Sequence, residues 1–217
     1  MREVSVKAFA KLNLGLQILG RRADGFHELR TVYQTISLHD SVQVEMGGKA
    51  GGEAISLHVE GLEVPAGLDN LAAKAATDML HALGWNRKVL ISLRKRVPTG
   101  GGLGGGSSDA AAVLRALDVL SGQKLERQKL FQLAASLGSD VPFFLLGGRA
   151  IGVGRGEEVY SLPDIPPMYC LVGLPEVGMN TAEAYRLLHA DPWPSGSQTE
   201  KQRRRYASPA FPTPDTF

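Results

Sequence analysis

The chain has 217 residues, enough to bury a core as one or two domains, and its 43% hydrophobic and 21% charged residues are typical of a soluble globular protein. A formal net charge of +2 argues against nucleic acid as the main partner, and no window approaches the roughly 18 apolar residues of a membrane span. Cys170 is the only cysteine, which excludes an intrachain disulfide. With no apolar signal core after Met1, we expect a cytoplasmic protein.

Alternating apolar residues predict a strand near the start of the chain. Its apolar side chains are Leu12, Leu14, Leu16 and Ile18. The same alternation puts Lys11 and Asn13 together on the opposite face, which the pattern alone would make a solvated polar face. Asp24 and Gly25 then predict a hairpin turn before the next strand.

Further strands are predicted in the following 30 residues. The run from Thr31 to Met46 predicts two strands that turn at His39 and Asp40. A later alternation at Ile55, Leu57 and Val59 predicts one more strand. None of these segments contains a pattern to which we assign a catalytic or binding role.

The first helix is expected to follow these strands. Asp69 or Asn70 is its candidate N-cap, the apolar residues continue through Leu83, and Gly84 is its stop signal.

The stretch from Pro98 to Asp109 contains six glycines between a predicted strand and a predicted helix. The helix continues without a breaker to Ser121, and its candidate N-caps are Ser107, Ser108 and Asp109. The preceding strand alternates at Val89, Ile91, Leu93 and Val97. Glycines let a backbone approach a phosphate closely, and the N–H groups and dipole at a helix N-terminus attract an anion. The stretch therefore predicts a phosphate-binding loop.

Other interpretations of the glycines remain open. The P-loop pattern requires a lysine, and here Gly106 is followed directly by Ser107. Gly100, Gly102 and Gly105 satisfy the dinucleotide pattern, but no second strand ending in an acid follows about 20 residues later. A nicotinamide dehydrogenase and a flexible linker are therefore less favoured alternatives to a phosphate loop.

The next segment predicts a helix from Leu125 to Leu137, ended by Gly138. Asp140 precedes a proline-containing apolar run, so the pattern alone makes it an N-cap. The sequence then predicts a glycine-interrupted hairpin from Gly147 to Tyr160.

Two more elements are predicted before residue 190. Residues 169–172 are predicted to form a strand, and Thr181 is expected to cap a short helix that ends at His189. Tyr185 would be a half-buried residue of that helix on the pattern alone.

The residues from Pro98 to Ala112 resemble the second motif of the GHMP kinases. The resemblance implies an α+β fold, a two-layer arrangement with a ribosomal protein S5 domain 2-like N-terminal half and, in this chain, an incomplete C-terminal domain. It also implies ATP as cosubstrate, with Mg²⁺ bridging phosphate oxygens and no metal site made by the protein. The ATP-binding residues would be Pro98, Thr99, Gly100, Gly101, Gly102, Leu103, Gly104, Gly105, Gly106, Ser107 and Ser108.

Three further motifs resemble the diphosphocytidyl-methylerythritol kinase branch of that family. They are the run Ala8 to Leu14, an Arg-x-Asp-Gly-aromatic-His signature ending at His27, and Gly138-Ser139-Asp140-Val141-Pro142. The resemblance implies that Lys11 and Asp140 are catalytic. It implies substrate-binding roles for Asn13, Phe26, His27, Thr181 and Tyr185, with Phe26 and Tyr185 stacking on cytosine. The expected partner is a small molecule, a cytidine diphosphate-linked polyol, phosphorylated at its 2-hydroxyl in non-mevalonate isoprenoid biosynthesis.

The resemblance covers about residues 5–189. It implies an ATP-binding domain over residues 1–150 and the start of a C-terminal domain over 151–189. Residues 190–217 contain no Leu, Ile or Val, so we expect a disordered tail, typical of a truncated or frame-shifted end. Another GHMP kinase, or a catalytically dead remnant, remains an alternative, and the sequence does not indicate an oligomeric state.

Overall fold

A computed structural model describes residues 2–65 and 67–174, in which one mixed sheet forms the first layer. The strand order is β3-β4-β2-β5-β6, and β1 pairs with β2 along nearly its whole length. Only the β3–β4 pairing is parallel among these described strands. The strands are β1 (Arg2–Arg21), β2 (His27–Lys49), β3 (Ile55–Gly61), β4 (Arg87–Lys95), β5 (Arg149–Val153) and β6 (Glu158–Leu162).

Within residues 67–174, four α-helices form the second layer and cover one face of the sheet. Alanines of the first two helices let them approach each other and the inward side chains of β2 and β4 closely. The helices are α1 (Leu71–Leu83), α2 (Gly105–Ser121), α3 (Arg127–Leu137) and α4 (Val141–Leu146). The predicted two-layer α+β arrangement is confirmed. No helix in the two described ranges combines the length and apolar character needed to cross a membrane.

Several local predictions are confirmed by the element boundaries. Asn70 caps α1 by accepting a hydrogen bond from the Ala72 N–H, and Gly84 ends the helix at φ 63°. The turn at Asp24 and Gly25 joins β1 to β2 as an antiparallel hairpin, and β5 and β6 form the second predicted hairpin. The domain division at residue 150 stays a prediction. Strand β5 crosses this residue, and β6 continues the same sheet after it.

The prediction of a turn at His39 and Asp40 is wrong, because β2 is one continuous strand through both residues. Asp40 favours turns when its carboxylate caps a local amide, but here that carboxylate is buried. It accepts hydrogen bonds from the Val97 N–H at 2.8 Å and from Lys95 Nζ. Partners more than 50 residues away therefore hold it inside a strand.

The apolar face predicted for β1 is present but is not buried, since its side chains are half-buried or exposed. Leu14 is 52% exposed and Leu16 is similarly exposed, whereas Lys11 on the other face is buried. Register shifts between β1 and β2 interrupt the pairing three times and change which side chains point inward. Lys11 and Asn13 do lie on the same side of the strand, as predicted, and a hydrogen bond joins their side chains.

The start of α2 differs from the prediction, and one predicted strand does not form. Helix α2 begins at Gly105 with Gly104 as its N-cap, so Ser107, Ser108 and Asp109 lie inside the helix and not at its cap. The hydroxyl of Ser108 and the carboxylate of Asp109 are bound to other elements instead. Residues 169–172 form no strand, since within the described part of the chain no neighbouring strand pairs with them.

Candidate active site

The glycine stretch forms a loop between the end of β4 and the start of α2. Gly100, Gly102 and Gly104 have φ values of 75°, 69° and 72°, a region that other residues rarely adopt. No side chain caps the first turn of α2, so its N–H groups are not used by a capping side chain. Alternating positive-φ glycines before an uncapped helix start favour binding of an anion such as phosphate.

Strand β1 is attached directly to this loop. The Lys11 N–H donates to the Leu103 carbonyl at 3.0 Å, and the Ser108 hydroxyl donates to the Phe9 carbonyl at 2.7 Å. Ser108 is buried, and its own N–H donates to the Gly104 carbonyl. Ser108 therefore fixes the loop against β1, while Ser107 stays half-buried at the helix start.

Gly104 lies where the loop approaches the side chains of Phe144 and Lys11. A Cβ on Gly104 would be 2.7 Å from Phe144 Cζ and 3.2 Å from Lys11 Cε. Only glycine satisfies both this contact and the positive φ, which explains the residue type. The Lys11 side chain therefore lies beside the loop backbone at Gly104, with no room for a side chain between them.

We predict that Gly104→Ala lowers the free energy of unfolding by roughly 2–4 kcal/mol, since it adds overpacking to backbone strain. Gly102→Ala is the matched control, because its φ is similarly positive but a Cβ there would have no atom of the described residues within 4 Å. The control should lose only about 1–2 kcal/mol. Urea unfolding of both variants measures the difference, and equal losses would contradict the packing argument.

Lys11 and Asp140 form an ion pair beside the loop. Lys11 Nζ lies 3.3 Å from Asp140 Oδ2, with the lysine side chain 6% exposed and the aspartate side chain 31% exposed. Asp140 occupies the N-cap position of α4, as the pattern predicts, but its carboxylate makes no capping hydrogen bond. The partly exposed carboxylate instead faces the space beside the glycine loop, where Lys11 also lies.

Asn13 and Thr31 extend the polar contacts of Lys11. Lys11 Nζ donates to Asn13 Oδ1 at 2.6 Å, and Asn13 Nδ2 donates to Thr31 Oγ1 at 2.6 Å. The Thr31 hydroxyl then donates to the Gly15 carbonyl at 2.8 Å. This chain of donors and acceptors fixes the orientation of the Asn13 amide and limits the rotamers of Lys11.

Tyr33 is a site residue that the sequence analysis missed. Its hydroxyl donates to Asp140 Oδ1 at 2.9 Å, and its ring stacks on Phe143 with 4.7 Å between centroids. A Cβ on Gly152 or on Gly156 would lie 2.5 Å from Tyr33 atoms, so these two glycines make room for the tyrosine. The glycines of the predicted hairpin indicate that a large side chain packs against it. They do not indicate that this side chain is Tyr33.

Phe26 and His27 lie at the β1–β2 turn, farther along β1 than Lys11. Phe26 is 50% exposed, and the Arg155 guanidinium lies 4.6 Å from its ring centroid. His27 is half-buried. Thr181 and Tyr185, the other expected substrate-binding residues, lie outside the described residues.

Three buried charged side chains lie behind the glycine loop, and the sequence analysis assigned none of them to the site. They are Asp40 of β2, Lys95 at the end of β4 and Asp109 of α2. Burial raises the pKa of Asp109 to about 7, although Lys95 acts to lower it. Since the raised pKa stabilises the protonated form, this group's contribution to stability is present at acid pH and diminishes as the pH rises through about 7.

Among the described residues, no group of three or more His, Cys, Asp or Glu side chains could hold a metal ion. Mg²⁺ commonly takes only one or two carboxylates and otherwise binds phosphate oxygens and water. Asp140 is the part-exposed carboxylate beside the loop, and both its oxygens already contact Tyr33 or Lys11. These donors suit a cation that arrives with the phosphates of a nucleotide better than one held by the protein.

The arrangement combines three chemical elements in one place. The loop offers backbone N–H groups to phosphates, Asp140 offers a carboxylate that can accept a proton, and Lys11 offers a fixed positive charge next to it. Transfer of a phosphoryl group to a hydroxyl requires these elements, because it depends mainly on positioning and on electrostatic stabilisation.

Comparison with known proteins shows which proteins the chain is similar to. Residues 70–148 match the family described as GHMP kinases N terminal domain. The chain is 48% identical over 185 residues to the 4-diphosphocytidyl-2-C-methyl-D-erythritol kinase of Solibacter usitatus, covering 85% of this chain and 57% of that protein. It is 39% identical over 208 residues to the enzyme of the same name from Moorella thermoacetica, covering 96% and 71%.

The fold is also similar to a solved structure. A crystal structure of 4-(cytidine 5'-diphospho)-2C-methyl-D-erythritol kinase superposes with a TM-score of 0.62 at 46% sequence identity, covering 73% of this chain and 55% of that chain. The chain thus spans only part of the length of these curated relatives, 57% of the Solibacter protein and 71% of the Moorella protein.

Proposed function

Since the chain belongs to the GHMP kinases, in the branch of the 4-diphosphocytidyl-2-C-methyl-D-erythritol kinases, we propose that it is an ATP-dependent kinase. The proposed reaction transfers the γ-phosphoryl group of ATP to the 2-hydroxyl of 4-diphosphocytidyl-2-C-methyl-D-erythritol. This reaction belongs to non-mevalonate isoprenoid biosynthesis, and we propose the cytoplasm as its location. The observation that carries the proposal is the hydrogen bond that joins the glycine loop to Lys11, whose ammonium is paired with Asp140.

We propose that the ATP phosphates lie along the loop, residues 98–108. The positive-φ glycines and the uncapped start of α2 support this placement, since both direct backbone N–H groups toward an anion. Mg²⁺ would enter as part of the Mg-ATP substrate and neutralise charge on the phosphate oxygens. Lys11 and Asp140 then lie where the γ-phosphoryl group would meet the acceptor.

Asp140 is the proposed general base. As the acceptor oxygen forms its bond to the γ-phosphorus, the bond from that phosphorus to the bridging oxygen breaks and its electron pair leaves with ADP. The proton of the acceptor hydroxyl moves to the Asp140 carboxylate, whose orientation is fixed by the Tyr33 hydroxyl. Lys11 stabilises the negative charge that develops on the acceptor oxygen.

The cytidine part of the acceptor is proposed to bind at the β1–β2 turn. Phe26 supports this, because half of its surface is exposed and its ring is held by Arg155 on one side. Asn13, His27, Thr181 and Tyr185 complete the proposed substrate-binding set, of which Thr181 and Tyr185 lie outside the described residues. Asn13 is already oriented by Lys11 and Thr31.

We predict that Phe26→Ala raises the KM for the cytidine-bearing acceptor about 10-fold, with little change in kcat or in the KM for ATP. One lost stacking contact of about 1–3 kcal/mol accounts for this size. Tyr160→Ala, which removes another exposed ring from the described part of the chain, is the control. An unchanged KM for the acceptor in Phe26→Ala would contradict the proposed cytidine position.

The proposed function is tested by ADP release from Mg-ATP with three acceptors: none, the cytidine-bearing substrate and 2-C-methylerythritol without cytidine diphosphate. We expect release that depends on the cytidine-bearing substrate. Equal rates with both acceptors would favour another GHMP kinase. No release from soluble, cooperatively folding protein would favour a catalytically dead remnant, and hydride transfer with NAD would favour the dehydrogenase interpretation.

A further inference from the structure

Three charged side chains are completely enclosed behind the glycine loop. Lys95 Nζ donates to Asp109 Oδ2 at 2.8 Å and to Asp40 Oδ2, and the three side chains are at most 3% exposed. Asp40 Oδ1 also accepts the N–H groups of Arg96 and Val97. One ammonium therefore joins the middle of β2, the entry to the loop and the first turns of α2.

Stability alone does not explain why this cluster is charged. Buried ion pairs are often no more stabilising than apolar residues of the same volume, because each charge loses its hydration. Here two carboxylates share one ammonium, and Asp109 Oδ1 accepts no hydrogen bond from any residue in the described ranges. Burial raises the pKa of Asp109 to about 7, which is consistent with this incomplete compensation.

The position of the cluster indicates what the charges do. A Cβ on Gly105 would lie 3.2 Å from Lys95 Nζ and 3.0 Å from Val97 Cγ1. The Lys95 ammonium thus lies beside the first residue of α2, in space that a larger side chain there would need. The loop is held at its entry by the Asp40 contacts to the Arg96 and Val97 amides and at its exit by Asp109.

We propose that Asp109, through Lys95 and Asp40, is a positioning residue that fixes the distance between the two ends of the glycine loop and so sets its affinity for nucleotide phosphates. This inference rests on the proposed function, since it takes the loop to be the ATP site. Asp109 touches no phosphate itself, because its side chain is enclosed behind the loop. It acts through the backbone of α2.

Two variants at the same position separate positioning from charge. Asp109→Ala removes the link to Lys95 but leaves the neutral Lys95–Asp40 pair, so no uncompensated charge is buried. Asp109→Asn removes the same negative charge but keeps the shape and an oxygen that can accept from Lys95. Asp118→Ala truncates an aspartate farther along the same helix and is the matched control. One oxygen of Asp118 is also buried without a hydrogen bond from any described residue.

The experiment is calorimetric titration of the full chain with Mg-ADP and with Mg-ATP at pH 8, well below the melting temperature of each variant. We expect Asp109→Ala to bind about 10-fold more weakly than Asp109→Asn, with Asp109→Asn and Asp118→Ala within about twofold of wild type. A lower melting temperature of Asp109→Ala accompanied by an unchanged Kd would mean a merely structural role and would overturn the proposal. Equal affinities of the Ala and Asn variants would overturn it as well.

The wild-type titration separates this inference from the function on which it rests. Wild type that binds both nucleotides, with equal binding by the two Asp109 variants, contradicts the positioning role alone. Wild type that binds neither nucleotide contradicts the proposed ATP site and the positioning role together. If Asp109→Ala fails to fold, Asp109→Ser provides the same truncation with a smaller loss of polar contact, and the same comparison with Asp109→Asn decides.

Discussion

Asp140→Asn is expected to lower kcat by about 100-fold or more and to leave the Kd for Mg-ATP nearly unchanged. A positioned general base typically contributes about 10²–10⁴-fold, which corresponds to about 3–5 kcal/mol of activation free energy. The asparagine keeps an oxygen that can accept from the Tyr33 hydroxyl, so the local packing survives while the proton acceptor is lost. Acceptor-dependent ADP release and nucleotide titration measure the two quantities on the same preparation.

Asp118→Asn is the control for this substitution, because it makes the same chemical change on α2, away from the Lys11–Asp140 pair. Its kcat should equal that of wild type. A kcat of Asp140→Asn within about threefold of wild type would remove Asp140 from the mechanism. A large loss of Mg-ATP affinity in the same variant would instead assign Asp140 to nucleotide binding.

Lys11→Met is expected to lower kcat by about 100-fold or more for a different reason. The methionine fills a similar volume beside Gly104, but it removes the only ammonium that contacts Asp140 among the described residues. Loss of one fixed charge or donor at a developing negative oxygen typically costs about 10²–10³-fold. Steady-state kinetics with the cytidine-bearing acceptor measures the effect.

Lys7→Met tests whether the effect is specific to the site. Lys7 lies on the same strand but is exposed, so its loss should change kcat by less than about twofold. Far-ultraviolet circular dichroism and urea unfolding of Lys11→Met verify that the fold is retained. Wild-type kcat in a folded Lys11→Met protein would contradict the proposed stabilisation of the acceptor oxygen.

Local signals in the sequence were sufficient for the elements that surround the site. The alternation before Pro98, the glycines and the alanine-rich run after them predicted a strand, a loop and a helix in the correct order. Asn70 and Gly84 predicted both ends of α1, because capping depends on residues within one turn of the helix. The pairing of Lys11 with Asn13 on one face followed from strand periodicity alone.

The contacts that make the site were not predictable in the same way. Tyr33 and Asp140 are 107 residues apart, and Lys95 and Asp40 are 55 apart. Asp40 carried the local signal of a turn, and only its partners across the sheet keep it within β2. Asp109 carried the signal of an N-cap, but Lys95 binds its carboxylate inside the helix. Tertiary contacts of this kind override local propensity because a buried charge must find its partner wherever the fold places it.

The most direct test of the central claim is transfer of ³²P from [γ-³²P]ATP to 4-diphosphocytidyl-2-C-methyl-D-erythritol by wild type, Asp140→Asn and Asp118→Asn, measured side by side in the same assay. We predict labelled acceptor with wild type and Asp118→Asn, at similar rates, and a rate lower by about 100-fold or more with Asp140→Asn. Label in the acceptor at the wild-type rate with Asp140→Asn, or no label with folded wild type, would contradict a phosphoryl-transfer site built on the Lys11–Asp140 pair.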